Sequence, residues 1–288
     1  MKLQIRSARR DDIPAIESFT SNTFEWGDYI SAMIGEWLES DSTLVLVACD
    51  DDVPVAMAKV TMLSKTEAWF SAARVHPDWR GRGIAGTIAG ELDDWARERG
   101  AVVGRLVIED WNEASINHVE KIGMRPVSRV VRCTRSVTKN DPVPGGNGGK
   151  RVPARDRLRP TRSAEAEPAF MSWSVGELGR TARGLFAIGW SFRRLTVPDL
   201  VAAARVDALW EAHTGWAMGA QSGEVFSVGW VETRRDDVGD FIRAVVDAAT
   251  ASDSESLAVW LPEVDWAVGA AERAGCELSP MSVWAKQL

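Results

Sequence analysis

Two glycines, Gly81 and Gly83, stand between a predicted strand that ends at Val75 and a predicted helix that begins near Ile84. Glycine adopts left-handed backbone angles at little steric cost, so this spacing permits a tight turn with exposed N–H groups. Those donors, together with the positive end of the following helix, form a binding surface for phosphate oxygens. The sequence therefore predicts a strand–loop–helix unit that binds a diphosphate-bearing cofactor.

Arg80 and Arg82 add positive charge beside the two glycines. The loop lacks the GK[ST] element of a Walker A loop, and its glycines do not have the GxGxxG spacing of the Rossmann fingerprint. The residues by themselves thus indicate a phosphate-binding loop of another kind.

The chain is long enough for two domains. Its 288 residues exceed one average domain and suit two of ~140 residues. Residues 139–165 are rich in glycine and proline and carry seven basic and three acidic side chains, a composition typical of a linker. We therefore predict a first domain at residues 1–138, a linker at 139–165 and a second domain at 166–288. A basic docking segment for an anionic partner is the alternative interpretation of the linker.

Residues 1–138 have the pattern of a mixed α/β domain, and the second half repeats part of it. Hydrophobic periodicity and turn residues predict strands at 3–8, 44–48, 54–62, 69–75, 105–108 and 127–135, with helices after Asp12, from Ile84 to about Gly100 and at 113–122. Residues 224–231 echo 67–75, and residues 257–278 follow the order of 106–124. We predict an internal duplication, with two unrelated α/β domains as the alternative.

Composition argues against several classes of protein. Thirty-four basic and 41 acidic residues give a net charge of −7, which argues against nucleic acid as a partner. No uncharged apolar run approaches the ~18 residues of a membrane span, and the N-terminus lacks a secretory signal, so we expect a cytoplasmic protein without a membrane partner. The three cysteines and three histidines are scattered, which indicates reduced thiols and no metal site.

The segment from Arg80 to Ala85 reads RGRGIA and resembles the acetyl-CoA loop of the GNAT acyltransferase superfamily, whose signature is Q/R-x-x-G-x-G/A. Residues 75–77 match the V-x-P element that usually precedes this loop, and residues 112–124 look like the second motif of the superfamily, N-x-x-A…Y-x-x-x-G-F. The resemblance covers residues 1–138. It implies the GNAT fold, an α/β (α+β) fold in which helices flank a mixed, mostly antiparallel sheet, and acetyl-CoA as cosubstrate with no metal.

The resemblance also implies roles for individual residues. Main-chain N–H groups of the loop would hold the CoA pyrophosphate, and the strand before it would run beside pantetheine, where it splays from the strand at 106–108. Asn112 or Asn117 would touch the pantetheine end. The alternative for Asn112 is a helix N-cap, and for Asn117 an exposed polar side chain. The expected cofactor-binding residues are Val75, His76, Pro77, Arg80, Gly81, Arg82, Gly83, Ile84, Ala85, Gly86, Thr87, Asn112 and Asn117.

Two positions depart from the superfamily pattern. Val119 replaces the tyrosine that often protonates the leaving thiolate, and Ser71 occupies the position of a frequent carboxylate base. Orientation of an amine against the thioester and polarisation of its carbonyl can still supply much of the rate. Proton removal then falls to another group.

The candidates for proton transfer are few. Glu109 and Asp110 end the strand that should border the acyl pocket, although they could equally be a solvated strand end. Tyr29, the only tyrosine, lies in the region that lines the acceptor site in this fold, or else packs half-buried. His118, on the second-motif helix, is the weakest candidate. We therefore select Glu109 and Tyr29 as the candidate catalytic residues.

The second half lacks an equivalent loop. The segment from Glu232 to Asp240 has one glycine and four acidic residues, and Coulomb repulsion makes CoA binding there unfavourable. We therefore expect one competent site per chain and a degenerate GNAT-like module, in a tandem arrangement known in the superfamily.

The expected function is N-acetyltransfer from acetyl-CoA to a primary amine of a small molecule or amino acid, by direct attack. Residues 24–38 are similar to histidine N-acetyltransferase-type members in the spacing of Tyr29 and Trp37. One alternative acceptor is a protein lysine or N-terminus. Another alternative is a non-catalytic CoA-binding or interaction protein, since two frequent catalytic residue types are replaced. The oligomeric state stays open between a monomer with pseudo-dimeric tandem domains and a homodimer.

Overall fold

The computed structural model describes residues 3–21, 23, 27–138 and 156–288. The chain divides into two compact units. Unit 1 contains Met1–Leu106, Glu113–Arg125 and Trp284–Leu288, and unit 2 contains Val107–Asn112 and Pro126–Val283. Most of the expected linker, residues 139–155, lies outside the described residues.

Unit 1 is built on strands that follow each other in sheet order. They are β1 Gln4–Ser7, β2 Thr43–Asp50, β3 Val53–Met62, β4 Glu67–Val75 and β5 Val103–Glu109, the last of which continues into unit 2. The first four pair antiparallel, whereas β4 and β5 pair parallel. The helices are α1 Ile13–Thr20, α2 Ile30–Glu39, α3 Ile84–Glu98 and α4 Glu113–Lys121.

Side-chain alternation along β2 and β3 gives the sheet of unit 1 two buried faces. One face packs against α1 and α2 through Ile16, Phe19, Ile30, Ile34, Trp37, Val45, Val47 and Met57. The other face packs against α3 through Leu46, Ala58, Val60, Phe70, Ile84, Ile88, Leu92 and Ala96. Helices on both faces therefore hold β4 and the loop that follows it.

Asp12 precedes α1 but does not cap it with its side chain. Its carboxylate accepts two hydrogen bonds from the Arg6 guanidinium, at 2.7 and 2.8 Å, and one from the Arg9 N–H. Burial opposes ionisation of Asp12, but these bonds bring its pKa below the ordinary value. The carboxylate thus ties β1 to the helix entry.

Unit 2 has strands in the sheet order β14, β6, β13, β12, β11, β10, β7, and a separate hairpin of β8 and β9. The strands are β6 Arg125–Ser136, β7 Arg159–Pro160, β8 Leu185–Ile188, β9 Ser191–Arg194, β10 Leu209–Ala212, β11 Gly215–Ser222, β12 Val225–Thr233, β13 Ser256–Pro262 and β14 Glu277–Gln287, the last of which continues into unit 1. The helices are α5 Ala166–Val175, α6 Glu177–Thr181, α7 Val197–Arg205, α8 Val238–Ala251 and α9 Asp265–Arg273.

The two halves of the chain repeat one order of elements. The run β12–α8–β13–α9–β14 has the same order of elements as the run β4–α3–β5–α4–β6. In both runs the first two strands pair parallel. The duplicated α/β architecture predicted from the sequence is thereby confirmed. The compact units, however, do not coincide with the expected domain boundaries. The main reason is that β6 pairs with β13 from Val130 to Ser136 and so lies in unit 2.

No helix that the structure describes is long and apolar enough to cross a membrane.

Candidate functional site

The loop between β4 and α3 has the backbone that its glycines predict. Gly81 has φ 76° and Gly83 has φ 77°, a left-handed conformation that side chains with a Cβ rarely adopt. A Cβ built at either residue would meet no atom within 4 Å. Backbone angle rather than crowding therefore requires glycine here, and the surface above the loop is open.

His76 holds the start of this loop in place. Its N–H donates to the Val55 carbonyl at 2.8 Å, its Nδ1 accepts the Asp78 N–H at 3.2 Å, and its ring meets the Phe19 ring edge-on at 6.0 Å. A single 3₁₀ turn, Pro77–Trp79, follows. The imidazole of His76 thus contacts both the loop and α1.

The two arginines of the loop are exposed and bonded only to neutral groups. Arg80 Nε donates to the Val75 carbonyl at 3.2 Å, and Arg82 donates to the Asp78 carbonyl at 2.9 Å. The Arg82 guanidinium also lies 4.6 Å from the centroid of the Trp79 ring. Neither arginine pairs with a carboxylate in the described part of the chain, so their charge is available to an anion.

Helix α3 completes the cradle. Gly83 is its N-cap, and the Thr87 N–H donates to the Gly83 carbonyl at 3.2 Å. The N–H groups of Ile84, Ala85 and Gly86 precede that bond and have no acceptor within the helix. Buried Ile84 fixes the first turn against the sheet. Backbone donors, a helix N-terminus and two arginines therefore converge on one open surface, which fits a diphosphate.

Strand β4 has one side without a full strand partner. Its parallel ladder with β5 is described for three pairs, from Glu67–Val103 to Trp69–Arg105. Toward its end β4 carries a bulge, since Ala72 has φ 57° and the register with β3 shifts there. Bulges re-aim backbone groups next to functional sites, and an open strand edge can pair with an extended ligand.

A group of five side chains, here named the Trp37 cluster, lies on the α2 side of unit 1. Its members are Asp28, Tyr29, Trp37, Lys59 and Arg74. The Arg74 Nε donates to the buried Asp28 carboxylate at 2.7 Å, and the Arg74 guanidinium lies 5.7 Å from the Tyr29 ring centroid. Tyr29 and Trp37 meet edge-on at 6.0 Å, and the Lys59 Nζ lies 4.2 Å from the Trp37 ring centroid.

Tyr29 lies beside the bulge of β4. Its oxygen interacts with the Ala72 N–H and the Arg74 side chain, while 39% of the residue stays exposed. Burial of the phenol raises the pKa of Tyr29 above its ordinary value, although Arg74 opposes the shift. The hydroxyl therefore stays protonated near neutral pH, and it can donate a proton but is unsuited to be a base.

In unit 2, the two acidic residues at the end of β5 differ in their surroundings. Asp110 uses both carboxylate oxygens, one accepting from Arg129 at 2.7 Å and the other from the Ser282 hydroxyl at 2.9 Å. Glu109 is half-buried, and its charge partly offsets the lowering of the Arg132 pKa that burial causes. Of the two, Glu109 is the one whose carboxylate accepts no hydrogen bond from the residues that the structure describes.

The second-motif helix α4 carries the remaining candidates. Asn112 directly precedes it and donates its N–H to the Glu109 carbonyl at 2.9 Å, whereas Asn117 is exposed on the helix. Val119 is buried in the position where the superfamily often has tyrosine. Burial, reinforced by Lys121 and Lys286, lowers the pKa of His118 below its ordinary value, so the imidazole is neutral at pH 7.

The corresponding loop of unit 2 has a different backbone. No residue from Thr233 to Asp240 has a positive φ, and α8 begins directly after Asp237. In the strand before it, a Cβ at Gly229 would lie 2.0 Å from the Ala187 carbonyl oxygen. The β8 backbone thus fills the space beside β12. The segment between β12 and α8 therefore has no glycine with the backbone angles of Gly81 and Gly83.

Sequence reasoning missed Lys59 and its contact with Trp37. The available signal was a single charged residue in the otherwise uncharged run Val53–Met62. A lone lysine in a buried strand usually has a partner or a function.

Comparisons with known proteins agree with this geometry. Residues 11–124 match the family model of the acetyltransferase (GNAT) family. The chain is similar to a GCN5-related N-acetyltransferase from Sphaerobacter thermophilus (17% identity, TM-score 0.67, 99% of this chain and 95% of that one). It is also similar to a tandem GNAT protein from the clavulanic acid biosynthesis pathway (13% identity, TM-score 0.59, 99% of this chain and 98% of that one). No curated protein matches. At these identities the structural likeness establishes a duplicated GNAT fold.

Proposed function

Because residues 11–124 match the family model of the acetyltransferase (GNAT) family, we propose that the chain acetylates the primary amine of a small molecule or amino acid. The match to the family model supports acetyl-CoA-dependent acetyl transfer, and the acceptor class is our further proposal. The observation that carries the proposal is the loop itself. Gly81 and Gly83 both have left-handed backbone angles beneath open space, and the flanking Arg80 and Arg82 pair with no carboxylate of residues 3–21, 23, 27–138 or 156–288.

The residues of unit 1 would hold acetyl-CoA in two ways. The N–H groups from Gly81 to Gly86 would bind the pyrophosphate, with Arg80 and Arg82 adding charge-assisted bonds. The open side of β4 would pair with the pantetheine amides. Acetyl-CoA supplies the activated acyl group as a thioester, and the chain's own contribution is orientation and proton transfer.

Transfer joins the amine nitrogen to the acetyl carbon and releases a thiol, so one proton must leave the amine and one must reach sulfur. We assign the first proton to Glu109, whose carboxylate accepts no hydrogen bond among the described residues, and the second to Tyr29, whose hydroxyl stays protonated. General acid–base assistance of this kind contributes about 10²- to 10⁴-fold.

A second candidate is a CoA-binding protein without turnover. Two residues favour it, the buried Val119 and the half-buried Ser71, since neither has the acid–base chemistry common at these positions. In that case Glu109 and Tyr29 would be structural.

The test combines binding and turnover. Calorimetry with acetyl-CoA and the full chain should show binding, and release of free thiol should follow with amino acids or small amines. A lysine-containing peptide and a peptide with a free N-terminus form a separate arm. Binding without thiol release from any acceptor would establish the non-catalytic alternative.

A further inference from the structure

Lys59 is held in surroundings unusual for a lysine. It is the only charged residue of β3, and its chain neighbours Ala58 and Val60 are buried. Its ammonium lies 4.2 Å from the centroid of the Trp37 ring. Among residues 3–21, 23, 27–138 and 156–288, no carboxylate lies within salt-bridge distance of it and no hydrogen bond satisfies it.

Such a cation is costly to the fold. Removing an ammonium from water is unfavourable unless a counter-charge compensates. The contact with an aromatic face compensates only part of that cost. Accordingly, burial lowers the pKa of Lys59 to about 8. A strongly perturbed group beside a candidate site indicates a functional role.

The position of Lys59 points to the acceptor. Lys59 pairs with Ser71 in the β3–β4 ladder, so both side chains lie on the same sheet face, next to the bulge at Ala72. Ser71 stands where the superfamily often has a carboxylate base. The other cation of the Trp37 cluster, Arg74, is already neutralised by Asp28. Lys59 is therefore the cation of this cluster that can attract a ligand anion.

We propose that Lys59, above the Trp37 ring, binds a carboxylate of the acceptor, so that the enzyme prefers amines that also carry a carboxylate, the amino-acid class. This inference rests on the proposed function for the transfer itself. Coulomb repulsion from Lys59 would disfavour polycationic amines at the same place. The occupant is thus a zwitterionic or anionic amine rather than a polyamine.

The test compares each of several amino acids with its own carboxamide, in the wild type and in Lys59→Met and Lys59→Arg. Methionine keeps an apolar stem of similar length over Trp37. In the wild type, KM should be about tenfold or more lower for the amino acid than for the amide, since a charge-assisted bond is lost in the amide. In Lys59→Met that ratio should approach one while kcat for the amino acid changes little, and Lys59→Arg should restore part of it.

Two further measurements separate the possible failures. Acetyl-CoA affinity and thermal unfolding of Lys59→Met establish that the variant is folded. Calorimetric binding of the amino acids and amides to the protein with CoA reports on the anion site without turnover. Binding of the amino acids that is lost in Lys59→Met, without thiol release in the wild type, would refute the proposed function and support the anion site. Turnover with equal KM for acid and amide, or an equal effect of Lys59→Met on both, would overturn the inference. A difference between the wild type and Lys59→Met in the pH profile of kcat would also overturn it, because Lys59 would then be a proton acceptor.

Discussion

The fully buried carboxylate of Asp28 accepts the Nε–H of Arg74 at 2.7 Å. The same carboxylate accepts the Ile30 N–H at 3.2 Å, at the start of α2. One side chain therefore joins a helix entry to the end of β4, and Tyr29, between Asp28 and Ile30 in sequence, lies next to Arg74 of this pair. The geometry of the Trp37 cluster depends on this pair.

Asp28→Ala should consequently destabilise the protein by about 3 kcal/mol, because it leaves a largely buried guanidinium without its counter-charge. Urea unfolding of the full chain measures the loss. Asp94→Ala is the matched control, since it breaks the exposed pair with Arg97 and should cost under ~0.5 kcal/mol. Similar losses of unfolding free energy in the two variants would show that the Asp28–Arg74 pair stabilises the protein no more than an exposed ion pair does.

Gly83→Asp should weaken acetyl-CoA binding at least about tenfold. It places a side chain and a negative charge at a left-handed position that faces the proposed pyrophosphate. Gly90→Asp is the control, because it makes the same change on an exposed position of α3 where a Cβ meets no atom within 4 Å. Calorimetry compares the two variants, and equal affinities would remove the loop from the binding site.

Tyr29→Phe should lower kcat by about tenfold or more, because it removes a hydroxyl that stays protonated near neutral pH and can serve as a general acid. Acetyl-CoA affinity should be unchanged. The variant also separates the two roles considered for this residue. A packing role alone predicts a loss of stability with kcat preserved.

Glu109→Gln should lower kcat by about tenfold or more through loss of the proposed proton acceptor. Asp110→Asn is its neighbour and control, because the Asp110 carboxylate is engaged by Arg129 and Ser282. The control should affect stability more than rate. Steady-state kinetics with a matched unfolding curve distinguishes them, and equal kcat in Glu109→Gln and the wild type would exclude Glu109 as the base.

Lys59 should give the stability of the protein a pH dependence at alkaline pH. Its folded pKa is lowered from 10.5 to about 8, so between these values the unfolded chain binds more protons at Lys59 than the folded chain does. The free energy of unfolding should then rise with pH in that window. Lys59→Met should be more stable than the wild type near pH 7, and the difference should shrink toward pH 10.5. Urea unfolding at several pH values checks this, and a constant difference would contradict it.

Local features of the fold were predictable from the sequence, whereas features set by distant residues were not. The positive φ of Gly81 and Gly83 follows from the short-range demand of a strand–loop–helix turn. Helix α2 went unpredicted, because its entry is stabilised by Asp28 rather than by a recognisable capping motif. The environment of Lys59 requires the register of β3 against β4 and the placement of Trp37, neither of which is encoded in any short segment.

The chain returns at its end to the unit in which it began. Trp284–Leu288 belong to unit 1, where the Lys286 ammonium pairs with the buried Asp93 and the Leu288 N–H donates to the Val102 carbonyl. A fragment that ends at residue 138 would lack Lys286, so the buried carboxylate of Asp93 would lose its ion-pair partner. Experiments on unit 1 alone therefore require a fragment to which Trp284–Leu288 are fused, or else the intact chain.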